Sequence, residues 1–195
     1  MNAEEILFVD GDIAGFRLHA GNIGLVQAFL EANPAYTQMV AGRPPLPDEA
    51  MQELTDFPKS IRPEDVCVLG LRLSGEMVGF AGLLRSWPVP GVSYISLFQI
   101  AESLHGSGAA QAIYGALERW MIEAFSPQWL RLGVVGANAR GRRFWERVGY
   151  HEIERKPDYV IGHLTHIVVI MIKSVGGGDD EAYWQFVSSG TRPPR

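Results

Sequence analysis

The sequence predicts a mixed α/β (α+β) fold in which a mostly antiparallel central sheet is flanked by helices. Two observations carry this prediction. Apolar runs of strand length alternate first with short helical segments and then with hairpin turns. One long amphipathic segment then connects two strands, as in a crossover between parallel neighbours. A chain of 195 residues, 47% hydrophobic and 20% charged, suits one domain with a sizeable core.

Charge and cysteine content exclude several classes of protein. The net charge of −5 argues against non-specific binding of nucleic acid. The single Cys67 lies in an apolar run, which predicts a buried thiol and excludes an internal disulfide or a multi-Cys metal cluster. The histidines lack metal-like spacing, so we expect no metal. With no apolar run near the roughly 20 residues of a membrane span and no N-terminal signal, we expect a cytoplasmic protein without a membrane partner.

The N-terminal third predicts a strand followed by two or three short helices. Asn22 and Asp48 are typical helix N-caps, and Asn33-Pro34 stops the first helix. Three prolines within residues 43–47 keep the loop between the helices irregular. In order, we expect a short apolar run at 4–9, a strand at 14–20, and helical segments at 22–32, 35–42 and 48–57.

The remainder predicts three meandering strands, a helix, a strand, a second helix and two strands. Ser74-Gly75 forms the turn of a hairpin, and Gly149 closes the second helix, which Asn138 caps. The run at 165–173 is almost continuously apolar, which is typical of a strand inside a sheet. The expected strands are 66–73, 77–84, 92–100, 130–136, 151–155 and 165–173.

The C-terminal end has a different composition from the rest of the chain. We assign residues 1–175 to the domain and residues 176–195 to a flexible tail, because GGGDDE after Val175 reads as a hinge. The aromatic residues Tyr183, Trp184 and Phe186 are more apolar than a solvated tail requires. The sequence leaves open whether they dock on this chain or on a second copy, which makes a homodimer possible.

A glycine-bearing turn between the third meandering strand and the long helix is the main candidate for a functional site. It reads His105-Gly106-Ser107-Gly108-Ala109-Ala110. Small residues leave the backbone bare, so that several amides can point into one space at a helix N-terminus. Unpaired amides and the positive end of the helix dipole together bind phosphate groups. The turn therefore predicts an anion site.

Two common phosphate-binding loops do not fit this turn. A P-loop requires a lysine after its glycines, and none is present. The dinucleotide fingerprint requires a third glycine, where the chain has Gln111, and it follows the first strand of a parallel sheet. Here the turn follows antiparallel hairpins in mid-chain.

The chain resembles the GNAT superfamily of acyl-CoA-dependent N-acyltransferases. The family's pyrophosphate loop has Arg or Gln, two residues, Gly, one residue, then Gly or Ala; Gly108 and Ala110 match, with His105 in place of Arg or Gln. The segment ANARGRRFWERVGY, residues 137–150, is similar to the family's second conserved segment. The order of strands over residues 12–173 agrees as well. The resemblance implies a GNAT-like fold that binds acetyl-CoA.

The resemblance also implies which residues hold the donor. The turn amides would bind the pyrophosphate, and the strand backbone at Phe98 and Ile100 would bond the pantetheine arm. Asn138 would contact the same arm, Arg142 or Arg143 would approach the phosphates, and Trp145 would pack beside CoA. The complete expected donor site is Phe98, Ile100, His105, Gly106, Ser107, Gly108, Ala109, Ala110, Asn138, Arg142, Arg143 and Trp145.

The sequence does not identify the catalytic acid or base. Many family members have a tyrosine that protonates the departing thiolate, and the matching position here is Trp145, whose indole is not an acid. Glu102 is the carboxylate nearest the expected thioester, although a solvated loop residue is the simpler interpretation. Tyr94 faces either the core or the acceptor groove. We expect the acceptor between the early helices and the sheet, near Arg43.

The predicted function is transfer of an acetyl group from acetyl-CoA to a primary amine, directly and within a ternary complex. The acceptor is a small-molecule or peptide amine of unspecified identity. The alternative is a protein that binds CoA without turnover and acts as a sensor or interaction subunit, which the missing tyrosine favours. A weaker alternative is an interaction protein that dimerises through its tail.

Overall fold

A computed structural model describes residues 4–190 of the chain. Its strands form one sheet in the spatial order β1-β2-β3-β4-β5-β6-β8-β7. The strands are β1 (Ile6–Asp10), β2 (Ile13–Arg17), β3 (Val66–Leu73), β4 (Glu76–Leu84), β5 (Val92–Ile100), β6 (Trp129–Val135), β7 (His151–Ile161) and β8 (Leu164–Ser174). The helices are α1 (Ile23–Ala32), α2 (Ala35–Ala41), α3 (Glu49–Thr55), α4 (Ala109–Phe125), α5 (Ala139–Arg147) and α6 (Asp180–Ser189). The mixed fold class predicted from the sequence is confirmed.

One parallel pair interrupts an otherwise antiparallel sheet. β5 and β6 run parallel because the 17-residue helix α4 carries the chain back across the sheet between them. All other neighbouring strands are antiparallel. The crossover that the sequence predicts after the glycine-bearing turn is therefore present.

The seventh strand is longer than the sequence predicts. The pattern indicates a strand over residues 151–155, whereas β7 continues to Ile161 and forms a long hairpin with β8. Its second half is exposed and is interrupted by Pro157 and Asp158, whose φ is positive, so the sequence there reads as a turn rather than a strand. It lies at the edge of the sheet, where Pro157 is tolerated because the ladder shifts register between Lys156 and Tyr159.

The two faces of the sheet are covered by different helices. Helix α4 packs on one face through residues such as Ile113, Leu117 and Met121, against Ile95 and Leu132 of the parallel pair. Helices α1 and α3 cover the opposite face, over a core that includes Phe16, Phe80, Val68, Phe29, Leu30 and Leu54.

Helix α6 lies in the C-terminal segment, residues 176–195. The sequence left open whether the aromatic residues of this segment dock on this chain or on a second copy. Asp179 caps α6, and Tyr183 is fully buried against Trp129, Val92 and Ile172. The described part of this segment therefore packs on its own chain. The last residues of the predicted tail, 191–195, lie outside the described residues.

Candidate active site

The site is centred on a gap between the two parallel strands. β5 and β6 pair only over Val92–Ile95 and Trp129–Leu132. At that point Ser96 is an extra residue in β5, because Ile95 and Leu97 face consecutive residues of β4. Such a bulge bends a strand locally. Beyond it, β6 stays paired with β8 while β5 stays paired with β4, so the two parallel strands diverge.

The divergence exposes a row of backbone groups on β5. The amide of Ala101 donates to the carbonyl of Val78 at 2.8 Å, so odd-numbered residues at this end pair with β4. Because backbone groups alternate in direction along a strand, those of Phe98 and Ile100 point into the gap. The carbonyl of Ile100 is bonded there by the side chain of His105, at 3.1 Å. This edge suits the amide groups of an extended ligand.

The glycine-bearing turn presents unpaired amides to the same gap. Gly106 and Gly108 have φ values of 83° and 88°, a left-handed conformation that favours glycine. A Cβ on either residue would meet no atom within 4 Å, so both face open space. The amides of Gly106, Gly108 and Ala110 have no hydrogen-bond partner among residues 4–190. Gly108 is also the N-cap of α4, which adds the positive end of the helix dipole.

A cavity of about 890 Å³ joins the gap and the turn. It contains most of the donor-site residues expected from the sequence, and it continues on the other side of β5 to α2. Its lining includes Phe98, Ile100, His105, Gly106, Gly108, Ala110, Asn138 and Trp145 from the expected set, and Ala35, Tyr36, Met39, Gln99, Glu102, Arg140, Phe144 and Arg147 besides.

The other expected donor-site residues lie outside this lining. The hydroxyl of Ser107 donates to the carbonyl of Leu104 and accepts from the amide of Ala109. Ser107 and Ala109 therefore stabilise the turn itself. Arg142 lies beside Glu146, with 3.5 Å between Nε and Oε1. Arg143 is exposed on α5.

Arg140 is an arginine of α5 that the sequence analysis did not single out. It lines the cavity, and its guanidinium donates to Nδ1 of His105 at 2.9 Å. Because Nε2 of His105 meets the carbonyl of Ile100, the proton lies on Nε2 and Nδ1 accepts. His105 therefore connects Arg140 to the open edge of β5. The helical spacing of α5 could have identified Arg140, because residues 140, 141, 144 and 145 lie on one face of the helix and line the cavity.

Asn138 has the capping role that the sequence predicts. Its Oδ1 accepts from the amide of Gly141 at 2.8 Å, at the start of α5. The cap holds Oδ1 in place and leaves the Nδ2 donor available at the cavity, which Asn138 lines. The short helix is thereby anchored at the mouth of the gap.

Trp145 lies in an aromatic cluster below the cavity. It is buried and contacts Phe98, Tyr114, Phe144 and Tyr150, with ring centroids 5.0 to 5.7 Å from its own. Burial is the main cause that raises the pKa of Tyr114 and of Tyr150 far above the usual tyrosine value. These phenols bond each other at 2.7 Å and stay neutral. The cluster gives the gap an apolar wall without an ionisable acid.

The two polar residues that the sequence singled out near the acceptor have structural partners. Oε1 of Glu102 accepts from the amide of Ala35 at 2.8 Å, at the N-terminus of α2. Arg43 donates to both oxygens of Glu49, at 2.7 and 3.3 Å. Glu102 lines the cavity, but its engaged oxygen connects the end of β5 to α2.

Sequence reasoning missed a carboxylate on the acceptor side. Glu53 of α3 is half-buried, and burial together with the charges of Glu49 and Asp56 raises its pKa to about 7. The charge of Glu53 in turn contributes to a raised pKa of Tyr36, after burial as the main cause. No local pattern marks Glu53, because its burial depends on how α3 packs in the fold.

The candidate metal ligands and the single cysteine lie within the described residues. Among residues 4–190 there is no group of three His, Cys, Asp or Glu side chains able to hold a metal ion. Cys67 is buried, and burial raises the pKa of its thiol, as expected for an inert core residue. No helix in the same range is long and apolar enough to cross a membrane.

Comparison with known proteins agrees with this geometry. Residues 26–150 match the family model described as the acetyltransferase (GNAT) family. No curated protein sequence matches significantly. Among solved structures, an acetyltransferase from Thermus thermophilus superposes with a TM-score of 0.67 at 18% identity, covering 84% of this chain and 97% of that chain.

Two further structures have named acceptors. An acetyltransferase from Salmonella typhimurium, described as modifying the N-terminal serine of ribosomal protein L7/L12, gives a TM-score of 0.73 at 13% identity and covers 88% of this chain and 99% of that one. Spermidine N-acetyltransferase from Vibrio cholerae, in complex with CoA and spermine, gives a TM-score of 0.67 at 15% identity and covers 86% of this chain and 97% of that one. These likenesses concern the fold.

Proposed function

Since this chain belongs to the GNAT family of acetyltransferases, we propose that it transfers an acetyl group from acetyl-CoA to a primary amine while both are bound. The observation that carries the proposal is the continuity between three unpaired amides at the N-terminus of α4 and the open backbone edge of β5. One end suits a pyrophosphate, and the other suits a peptide-like arm.

The donor is held by backbone groups of the turn and of β5. The amides of Gly106, Gly108 and Ala110 receive the pyrophosphate, and Arg140 adds a charged donor at the rim. The backbone of Phe98 and Ile100 bonds the pantetheine arm, as the residues in an extra strand would. When the arm binds, it replaces the imidazole of His105 at the carbonyl of Ile100.

The reacting thioester then lies in the gap, between the apolar cluster around Trp145 and the α2 side of the sheet. An amide of β5 in the gap polarises its carbonyl as the oxygen becomes anionic. The ammonium form of the amine gives a first proton to solvent before it attacks. Trp145 provides an apolar wall and no proton, so the departing thiolate takes the second proton, which the nitrogen loses as the amide forms. The thiol of CoA has an ordinary pKa near 8.5, so its thiolate is a tolerable leaving group.

The acceptor approaches from the α2 side of the cavity. Named acceptors of the structurally similar proteins are a protein N-terminus and a polyamine. Both are primary amines that carry a positive charge at neutral pH. The acidic edge of α3, where Glu49, Glu53 and Asp56 lie, favours such a cation.

A second candidate function is CoA binding without turnover, in a sensor or an interaction subunit. The specific observation in its favour is Trp145 at the position of the usual acid. Calorimetry with CoA tests the binding that both candidates share. Release of free thiol from acetyl-CoA in the presence of spermidine, or of a peptide with a free N-terminal serine, separates them, because only the enzyme shows amine-dependent release.

A further inference from the structure

Gln99 is a polar residue at the open end of β5. Phe98 and Ile100, on either side of it, pack in the core that α4 covers, and successive side chains of a strand point to opposite faces of a sheet. The side chain of Gln99 therefore leaves β5 on the face of α2, where it lines the cavity. It lies next to the backbone groups that the proposed function assigns to the pantetheine arm.

The side-chain amide of Gln99 is held in one orientation. Its Nε2 donates to the carbonyl of Asn33 at 3.2 Å, just before α2. A carbonyl oxygen accepts and does not donate, so the amide cannot turn over and exchange its nitrogen for its oxygen. Asn33 is itself fixed, because its Nδ2 donates to the carbonyl of Phe29 and its Oδ1 accepts from the amide of Glu102, both at 2.8 Å.

The oxygen of the same amide is left without a partner. Gln99 is only 6% exposed, and its buried Oε1 accepts no hydrogen bond from residues 4–190. The neighbouring Glu102 differs, since its Oε1 accepts from the amide of Ala35. Buried polar atoms in proteins are nearly always paired, so an unpaired oxygen on a residue that lines a cavity indicates a missing donor. A molecule bound in the cavity can supply that donor.

The nitrogen of a primary amine is a donor that fits the proposed reaction. It attacks a thioester held along Phe98 and Ile100, beside Gln99. The neutral amine uses its lone pair for the attack and keeps two N–H groups. Positive charge develops on the nitrogen as the new bond forms, which strengthens a hydrogen bond from that nitrogen to a neutral carbonyl oxygen. An interaction that strengthens towards the transition state raises the rate.

We propose that Oε1 of Gln99 binds one N–H of the acceptor amine, positions its nitrogen for attack and selects primary over secondary amines. The proposal rests on the acetyl transfer proposed above. It names a specificity-determining residue on the acceptor side of that site.

The proton and electron changes balance. The ammonium form gives a first proton to solvent, which leaves a neutral amine with two N–H groups. The nitrogen lone pair forms the bond to the thioester carbon, and the carbon–sulfur bond breaks with its electron pair on sulfur. One N–H gives its proton to the thiolate, which yields CoA. The other stays bonded to Gln99 and becomes the N–H of the amide product. A secondary amine has a single N–H, which cannot serve both purposes.

The test uses two CoA derivatives that imitate the bound product and do not depend on the identity of the acceptor. In the N–H derivative, the sulfur of CoA carries a CH2-CO-NH-CH3 group. In the dimethyl derivative it carries CH2-CO-N(CH3)2, which has no N–H. Calorimetry measures the affinity of wild type, Gln99→Met and Gln27→Met for both derivatives and for CoA. Methionine resembles glutamine in length and lacks the amide.

Gln27→Met is the matched control. Gln27 of α1 donates to the carbonyl of Leu46 and accepts from the amide of Ala50, at 2.9 and 3.1 Å. Its loss removes a structural amide from the same layer of helices. Gln27 does not line the cavity, so we expect its substitution to leave the choice between the two derivatives unchanged.

We expect wild type and Gln27→Met to bind the N–H derivative about tenfold more tightly than the dimethyl derivative, because only the N–H derivative pairs Oε1. Gln99→Met should bind the two derivatives within about twofold of each other, with CoA affinity also changed by less than about twofold.

Turnover gives a second measurement of the same contact. Amine-dependent thiol release is compared for a peptide with a free N-terminal serine and for the same peptide with N-methylserine. For wild type, kcat/KM should be about tenfold higher for the serine peptide, and this ratio should fall towards one in Gln99→Met. A purely structural loss lowers kcat/KM for both peptides and leaves the ratio unchanged.

Each other outcome has a defined meaning. Equal affinities of wild type for the two derivatives, or a preference that persists in Gln99→Met, overturn the role of Gln99 and leave CoA binding intact. Absence of CoA binding by wild type overturns the proposed function and this inference together. A preference that depends on Gln99, without thiol release from wild type, supports the contact and contradicts acetyl transfer. Unfolding transitions monitored by circular dichroism confirm that each variant is folded, and the wild-type comparison requires no variant.

Discussion

The guanidinium of Arg131 in β6 donates a hydrogen bond to the hydroxyl of Tyr183 in α6, at 2.5 Å, and both side chains are buried. No carboxylate bonds Arg131 among the residues described, and its Nε is unpartnered. The phenol oxygen is therefore the acceptor that satisfies a buried charge, and it connects the C-terminal helix to the sheet.

Tyr183→Phe is expected to destabilise the protein by about 2 kcal/mol, because it removes the acceptor of a charged, buried donor. Urea unfolding measures the change. Trp184→Phe is the matched control on the same helix, since Trp184 is 41% exposed, and we expect its midpoint to stay near that of wild type. Equal stabilities of wild type and Tyr183→Phe would show that the hydrogen bond contributes nothing.

Gly108→Asp is expected to weaken CoA binding by about 30-fold, equivalent to about 2 kcal/mol. The carboxylate would occupy the open space of the turn and repel the pyrophosphate. Gly177→Asp is a matched control, because Gly177 has a similar φ of +81° and equally open surroundings but does not line the cavity. Titration calorimetry compares the two. Similar affinities for both variants would separate the turn from CoA binding.

Arg140→Gln is expected to weaken CoA binding by about tenfold at low salt, and less at high salt, because the lost contact is with a phosphate group. Arg143→Gln removes the same charge from the exposed side of α5 and should have little effect. The measurement is CoA affinity at two ionic strengths. A larger loss of CoA affinity in Arg143→Gln than in Arg140→Gln would support the sequence-based prediction that Arg143 approaches the phosphates.

Glu53 is expected to make stability depend on pH. Its folded-state pKa of about 7 lies above the unfolded value near 4.5, so the folded state binds the proton more tightly. The associated stability is complete below the unfolded pKa and is lost as the pH rises through the folded one. From pH 4 to pH 8, wild type should lose about 2 to 3 kcal/mol relative to Glu53→Gln. Parallel stability curves from urea unfolding would refute this.

The proposed donor half of the site could be predicted from the sequence because its parts are local. The turn from His105 to Ala110 and the end of β5 are adjacent in the chain, and glycine spacing reports backbone conformation directly. The sequence named Arg142 or Arg143 for the phosphates, whereas Arg140 lines the cavity; which arginines of α5 face the site depends on the rotation of a short helix, which the sequence pattern alone did not resolve. β7 was predicted too short because Pro157 and Asp158 interrupt the strand pattern within it.

The acceptor half was not accessible in the same way. Tyr36 reaches the cavity because α2 follows Asn33, whose side chain and backbone are bonded by the end of β5, a contact between residues 66 or more apart in the chain. A raised carboxylate pKa depends on burial, which the residues around Glu53 in the sequence do not encode. Glu102 was the nearest carboxylate along the chain, and in the structure its side chain instead bonds the first turn of α2.

The divergence of β5 and β6 after Ile95 and Leu132 has a consequence for steady-state kinetics. The cavity at this opening is lined by the turn before α4 and by α2, so in the proposed reaction donor and acceptor enter it from opposite sides of the sheet. In the proposed reaction, product CoA therefore competes with acetyl-CoA but gives mixed inhibition against the amine, whereas the acetylated product competes with the amine alone. Double-reciprocal plots intersect, because neither substrate blocks the entrance of the other.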